Sequence, residues 1–148
     1  MKKARISEIF VQNLLLALPN WHTKLVRPFK ESLHGEMSLE TYYCLETLRM
    51  SGAITMTELA QKLKVPKQQV AKLIGTLSEH RFIDRIASEE DKRMIYLQPT
   101  PQAVEYLDQY HLKNPGFLQS IEEQLTEAEI LELNHALEIL SEILPRLK

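Results

Sequence analysis

A chain of 148 residues, 44% of them hydrophobic, is long enough to bury a sizeable core without disulfide or metal support, and its single cysteine, Cys44, excludes an internal disulfide framework. The formal net charge of −2 is unevenly spread: residues 1–52 carry seven Lys and Arg against five Asp and Glu, residues 53–100 eight against six, and residues 101–148 three against nine. A uniformly acidic surface is thereby excluded, and the middle third is mildly basic.

Ile6, Ile9, Phe10, Leu14 and Ala17 recur at helical spacing and predict an amphipathic N-terminal helix, which Pro19 and Pro28 should kink or divide. Lys2, Lys3 and Arg5 precede this apolar run as in a secretory signal, but Glu8, Gln12 and Asn13 interrupt it and no small-residue cleavage pattern follows. No segment approaches the roughly 20 apolar residues of a membrane span, so a cytoplasmic protein with no membrane partner is expected. A second helix opens near Ser38, with Cys44 among Tyr43, Leu45 and Leu48, where core packing suits a free thiol better than redox sensing.

Thr55-Met56-Thr57-Glu58 has capping-box spacing, and Leu59, Ala60 and Leu63 then share one helical face. After a brief Lys64-Val65 turn, Pro66 suits the first position of another helix, whose buried stripe is Val70, Leu73, Ile74 and Leu77. Lys67, Gln68, Gln69 and Lys72 are left outward near its start. Phe82–Ala87 and Met94–Gln98 are rich in Ile, Phe, Tyr and Met, and the six residues between them are all polar, which predicts a hairpin with a charged tip. Thr126-Glu127-Ala128-Glu129 is a second capping box. Ile130, Leu133, Leu137, Leu140, Leu144 and Leu147 follow at spacings of three and four, with Ala136, Ile139 and Ile143 beside them. A stripe this wide calls for cover on two sides.

The order of helix, turn, helix bearing Lys and Gln, and charged hairpin is that of a winged helix-turn-helix, in which Gln and Lys can read adenine and guanine edges in a major groove. Ser38-Leu39-Glu40-Thr41-Tyr42-Tyr43, Leu59-Ala60-Gln61-Lys62-Leu63, Val70-Ala71-Lys72-Leu73-Ile74, Asp91-Lys92-Arg93 and Thr100-Pro101 stand in the order found in the MarR family of bacterial transcriptional regulators, which the chain resembles from Ser38 to Lys148. The resemblance implies a mainly α fold with a small β-hairpin wing: a winged helix-turn-helix DNA-binding domain at 38–100, and a helical dimerisation region from 1–37 and 101–148. It implies DNA contact by Lys67, Gln68, Gln69 and Lys72 on the recognition helix and by Lys92 and Arg93 at the wing, with Asp91 orienting the tip. It also implies a homodimer through Ile6, Ile9, Phe10, Leu133, Leu137, Leu140 and Leu144.

The expected partner is a pseudo-palindromic double-stranded operator, bound by a repressor or, less often, an activator. The alternative is a protein-binding module on the same fold that has lost DNA binding. Trp21, His22, Tyr42 and Tyr43 either line a pocket for a small aromatic effector or pack as core. Two residues depart from the family pattern. Arg81 stands where a left-handed glycine usually ends the recognition helix, so the helix should end one residue earlier or later. Gly75 lies within the helix at a cost of about 1 kcal/mol relative to alanine. His22, His34, His80, His111 and His135 are scattered and predict no metal site, no cofactor is called for, and the absence of a phosphate loop or nucleophile motif speaks against an enzyme.

Overall fold

In the computed structural model, which describes residues 2–33, 35–113 and 115–148, the two N-terminal prolines do not divide the first helix. Helix α1 (Lys3–Trp21) contains Pro19, passes into a π-helical turn (His22–Val26) and continues as α2 (Arg27–Ser32). Pro28 has no N–H to send to the Lys24 carbonyl, so an α-helical turn there would lack a bond, and the backbone widens instead, with the Arg27 N–H reaching the His22 carbonyl. The expected kink is thus a widened turn within a continuous helical segment.

Ser38 caps α3 (Leu39–Ser51) by accepting the Thr41 N–H at 3.1 Å. One face of α3 places Cys44, Leu45 and Leu48 out of solvent. Strand β1 (Ile54–Thr55) then leads into α4 (Met56–Leu63), where the Thr55 hydroxyl accepts the Glu58 N–H at 3.2 Å. This is one half of the expected capping box. Pro66 is the cap of α5 (Lys67–Glu79), one residue outside the first helical position expected for it. Strands β2 (Ile83–Ala87) and β3 (Ile95–Pro99) form the hairpin, and β1 pairs with β3 to give an antiparallel sheet of order β1-β3-β2. The chain continues through α6 (Pro101–Lys113), α7 (Pro115–Gln124), α8 (Glu127–Ile143) and a short 3-10 turn (Leu144–Arg146). Thr126 and Glu129 form the complete capping box of α8.

Leu45, Leu48, Leu59, Val70, Ile74 and Leu77 are fully buried and bring α3, α4 and α5 onto one core, which Leu97 of β3 and Ala103 and Leu107 of α6 complete. Each large aliphatic side chain buried there contributes about 1.5–3 kcal/mol. Rings extend this core towards α2: Phe29 meets Tyr42 edge-on at 4.7 Å, and Tyr110 lies 5.7 Å from Phe29 and 5.9 Å from Tyr106. Glu46 accepts from the Tyr42 hydroxyl and from Arg49, which also pairs with Asp108 of α6 at 2.7 Å.

Helix α5 ends as it would before a left-handed glycine, although no glycine is present. Arg81 itself adopts the left-handed conformation, with φ of 61°. Its N–H bonds the Ser78 carbonyl at 3.0 Å and the Phe82 N–H bonds the Leu77 carbonyl at 2.9 Å, so the last carbonyls are satisfied at a conformational cost of roughly 1 kcal/mol. Thr100 secures this exit. Its hydroxyl donates to the Arg81 carbonyl at 2.9 Å and accepts the Ala103 N–H at 3.1 Å, while its own N–H bonds the Phe82 carbonyl at 3.0 Å.

Two compact units are formed, residues 1–110 and 111–148. In the second, no described residue of α8 is buried, and Leu133, Leu137, Leu140 and Leu144 expose between 36% and 51% of their surface. In the first, Ile6, Ile9 and Phe10 of α1 are exposed as well. No helix of the described residues is long and apolar enough to cross a membrane.

Candidate nucleic-acid interface

The first turn of α5 holds Lys67, Gln68 and Gln69 outward, because the buried stripe of this helix is Val70, Ile74 and Leu77. Lys72 lies one turn on from Gln68 and is equally exposed. Gly75 has no atom near the position a Cβ would take, so close packing within the chain does not explain it.

Across from this turn stands the wing. Asp91 shapes its tip: one carboxylate oxygen accepts the Arg93 N–H at 3.0 Å and lies 3.3 Å from Nε of the same arginine. The Asp91 carbonyl accepts the Met94 N–H, and the Ser88 hydroxyl accepts the Asp91 N–H, which closes the loop between the strands. Arg93 nevertheless keeps 93% of its side chain exposed. A surface ion pair of this kind contributes little stability, so its effect is to orient the guanidinium. Lys92 is exposed beside it.

Between wing and helices lies a groove of about 590 Å³, lined among others by Thr55, Gln61, Lys67, Arg85, Arg93 and Leu97. It brings Lys67 of α5 and Arg93 of the wing tip to one surface. It also adds Arg85, which the sequence reading missed. Arg85 is paired with Leu97 across the sheet and therefore points to the face that Leu97 occupies, a placement that strand alternation could have signalled once the register was known. Glu58 is the acidic residue on this lining, against three cations. The result is a cationic cleft with the Gln61 amide on its lining, suited to a polyanion that also offers hydrogen-bonding edges.

Trp21, His22, Tyr42 and Tyr43 are not gathered into one cluster. Tyr42 is packed on Phe29 and bonded to Glu46, Tyr43 is 47% exposed, and Trp21 and His22 lie exposed at the end of α1. Tyr42 and Tyr43 are adjacent on a helix and hence about 100° apart. Burial, followed by the neighbouring Glu46, raises the Tyr42 phenol well above its ordinary range. Cys44 is buried without a charged partner, and burial pushes its thiol up to about 11. Among the described residues no group of His, Cys, Asp and Glu is arranged to hold a metal ion, while His34 and the His111 side chain lie outside them.

Residues 36–94 match the sequence profile of the MarR family. The chain is 28% identical over 103 residues to an uncharacterized HTH-type transcriptional regulator, YpoP, of Bacillus subtilis (strain 168), covering 70% of this chain and 73% of that one. It is 27% identical over 112 residues to the multiple antibiotic resistance protein MarR of Salmonella typhimurium, covering 74% and 75%. Among solved structures, RV1404 of Mycobacterium tuberculosis superposes with a TM-score of 0.72 at 23% identity over 89% of this chain and 92% of that one. FabT of Streptococcus pneumoniae, solved in complex with DNA, gives 0.64 at 19% identity over 93% and 99%.

Proposed function

Because the chain belongs to the MarR family of winged helix-turn-helix transcriptional regulators, we propose that it acts as a homodimeric repressor that binds a pseudo-palindromic operator. The observation that carries this reading is the shared groove, where Lys67 of the reading helix meets Arg85 and Arg93 of the wing beside the exposed Gln68 and Gln69. In this geometry α5 enters the major groove and reads base edges with Gln68, Gln69 and Lys72. Arg93 and Lys92 then follow the backbone into the adjacent minor groove.

Residues 53–100 carry an excess of only two positive charges, so one head neutralises few phosphates and useful affinity requires two. The uncovered apolar faces of α8 and α1 supply the means of pairing. Leu133, Leu137, Leu140 and Leu144, with Ile6, Ile9 and Phe10, are the dimer contacts in this reading. The two heads then meet successive major grooves about one helical turn apart.

Selection from a random duplex pool tests the proposal. A palindromic sequence should be enriched, with affinity falling steeply as salt rises. At that sequence Gln69→Ala should cost about 1–3 kcal/mol and relax preference at one base position per half-site. Arg93→Ala should weaken all duplexes together. If no sequence is enriched at low salt by a protein shown to be dimeric, the fold serves protein binding instead.

A further inference from the structure

We propose that Lys64 is a phosphate-contacting residue of the reading head, kept at a strained backbone position because its charge is used there; the proposal rests on the DNA-binding reading above. Lys64 closes α4 with φ of 55° and ψ of 44°. Its conformation is imposed by its neighbours: its own N–H bonds the Gln61 carbonyl at 3.3 Å, and the Val65 N–H reaches back to the Ala60 carbonyl at 3.2 Å. Any residue at this position is driven left-handed, a state that glycine adopts freely and lysine does not. What lysine adds is therefore its side chain. Strain of this kind persists where the surroundings over-determine it.

The side chain is placed to be used. Lys64 is exposed and forms no ion pair among the described residues. It precedes Lys67 by three positions, on the turn that delivers α5, and it follows by three positions Gln61, which lines the cationic groove. A phosphate of the strand flanking the inserted helix meets this turn first. Residues 53–100 hold eight basic residues against six acidic ones, so loss of the Lys64 charge alone would halve the excess.

Arg81 provides an internal control. It bears the same kind of strain, but it lies beyond the other end of α5, a helix of 13 residues and so roughly 20 Å long. A glycine there relieves strain without touching the end of the helix that is presented to DNA.

The experiment compares K64G, K64N, K64R and R81G in the full-length chain. Each is measured for thermal unfolding and for the salt dependence of binding, using the selected duplex and a scrambled duplex of the same length. K64G and R81G should both melt a few degrees higher than the wild type. K64G should also bind with a salt slope shallower by about 0.9 per head on both duplexes, whereas R81G should keep the wild-type slope. K64N, whose side chain tolerates the left-handed conformation, should lose the same charge contribution, and K64R should keep it. A K64G or K64N protein that retains the wild-type slope overturns this assignment while leaving the regulator reading intact. A wild-type protein that binds neither duplex at any salt concentration overturns both.

Discussion

Replacing Thr100 with valine removes a hydroxyl while preserving shape, and the structure gives the cost. Two bonds are lost: the one donated to the Arg81 carbonyl at 2.9 Å, and the cap that accepts the Ala103 N–H at 3.1 Å. The backbone bond from residue 100 to the Phe82 carbonyl survives, because it needs no side chain. An intramolecular hydrogen bond contributes about 1 kcal/mol net, and loss of a helix cap costs about 1 kcal/mol. Thr100→Val should therefore lower stability by about 2 kcal/mol, equivalent to a fall of roughly 4–8 °C in melting temperature for a chain of this length. Urea unfolding with a common slope supplies the measurement, and Thr100→Ser should recover most of the loss because serine keeps the oxygen. A valine variant within about 0.5 kcal/mol of the wild type, or a serine variant as weak as valine, would refute the claim that this one hydroxyl holds the exit of the recognition helix.

Three further outcomes are expected. Leu137→Glu combined with Leu140→Glu puts charge into the proposed pairing face and should give monomers or unfolded chains in sedimentation, so a variant that remains a folded dimer would remove α8 from the interface. Cys44, with its thiol pushed up to about 11, carries thiolate on only about one molecule in a thousand at pH 8, so iodoacetamide should label it slowly until denaturant is added, and rapid native labelling would contradict its burial. Tyr42 has a raised folded-state value, so its contribution to stability is fully present below the ordinary phenol range and is lost as pH rises above about 10, where the unfolded chain ionises first. Tyr42→Phe should make alkaline unfolding less steep; an unchanged profile would place the sensitivity elsewhere.

The reading helix was legible in the sequence because its burial is periodic: Val70, Ile74 and Leu77 mark the inner face, and the polar residues between them must then face out. The wing was legible from composition, and its strands shifted by only one residue. Strand β1 was not, since two residues carry no pattern and their pairing with Tyr96 and Leu97 depends on contacts about forty positions away. Arg85 was missed for the same reason: its side is decided by register. Tyr42 and Tyr43 show another limit, because a Tyr-Tyr pair on a helix reveals that one must be the more exposed without revealing which. The ending of α5 shows how tertiary bonds override local preference. Arginine disfavours φ of 61°, yet the bonds around Thr100 and Phe82 fix that conformation.

The π-helical turn at His22–Val26 has a consequence for mutation by deletion. A turn closed by a bond from residue 27 to residue 22 holds about one residue more than an α-helical turn, so it absorbs a residue that regular helix would convert into a rotation of about 100°. Removing one residue from this turn would therefore leave α1 and α2 close to their present phase. Removing one from the regular part of α1 would instead swing everything before it through about 100°, carrying the exposed Ile6, Ile9 and Phe10 with it. Sequences that build this arm should accept a length change of one residue in the turn and resist it in the helix before.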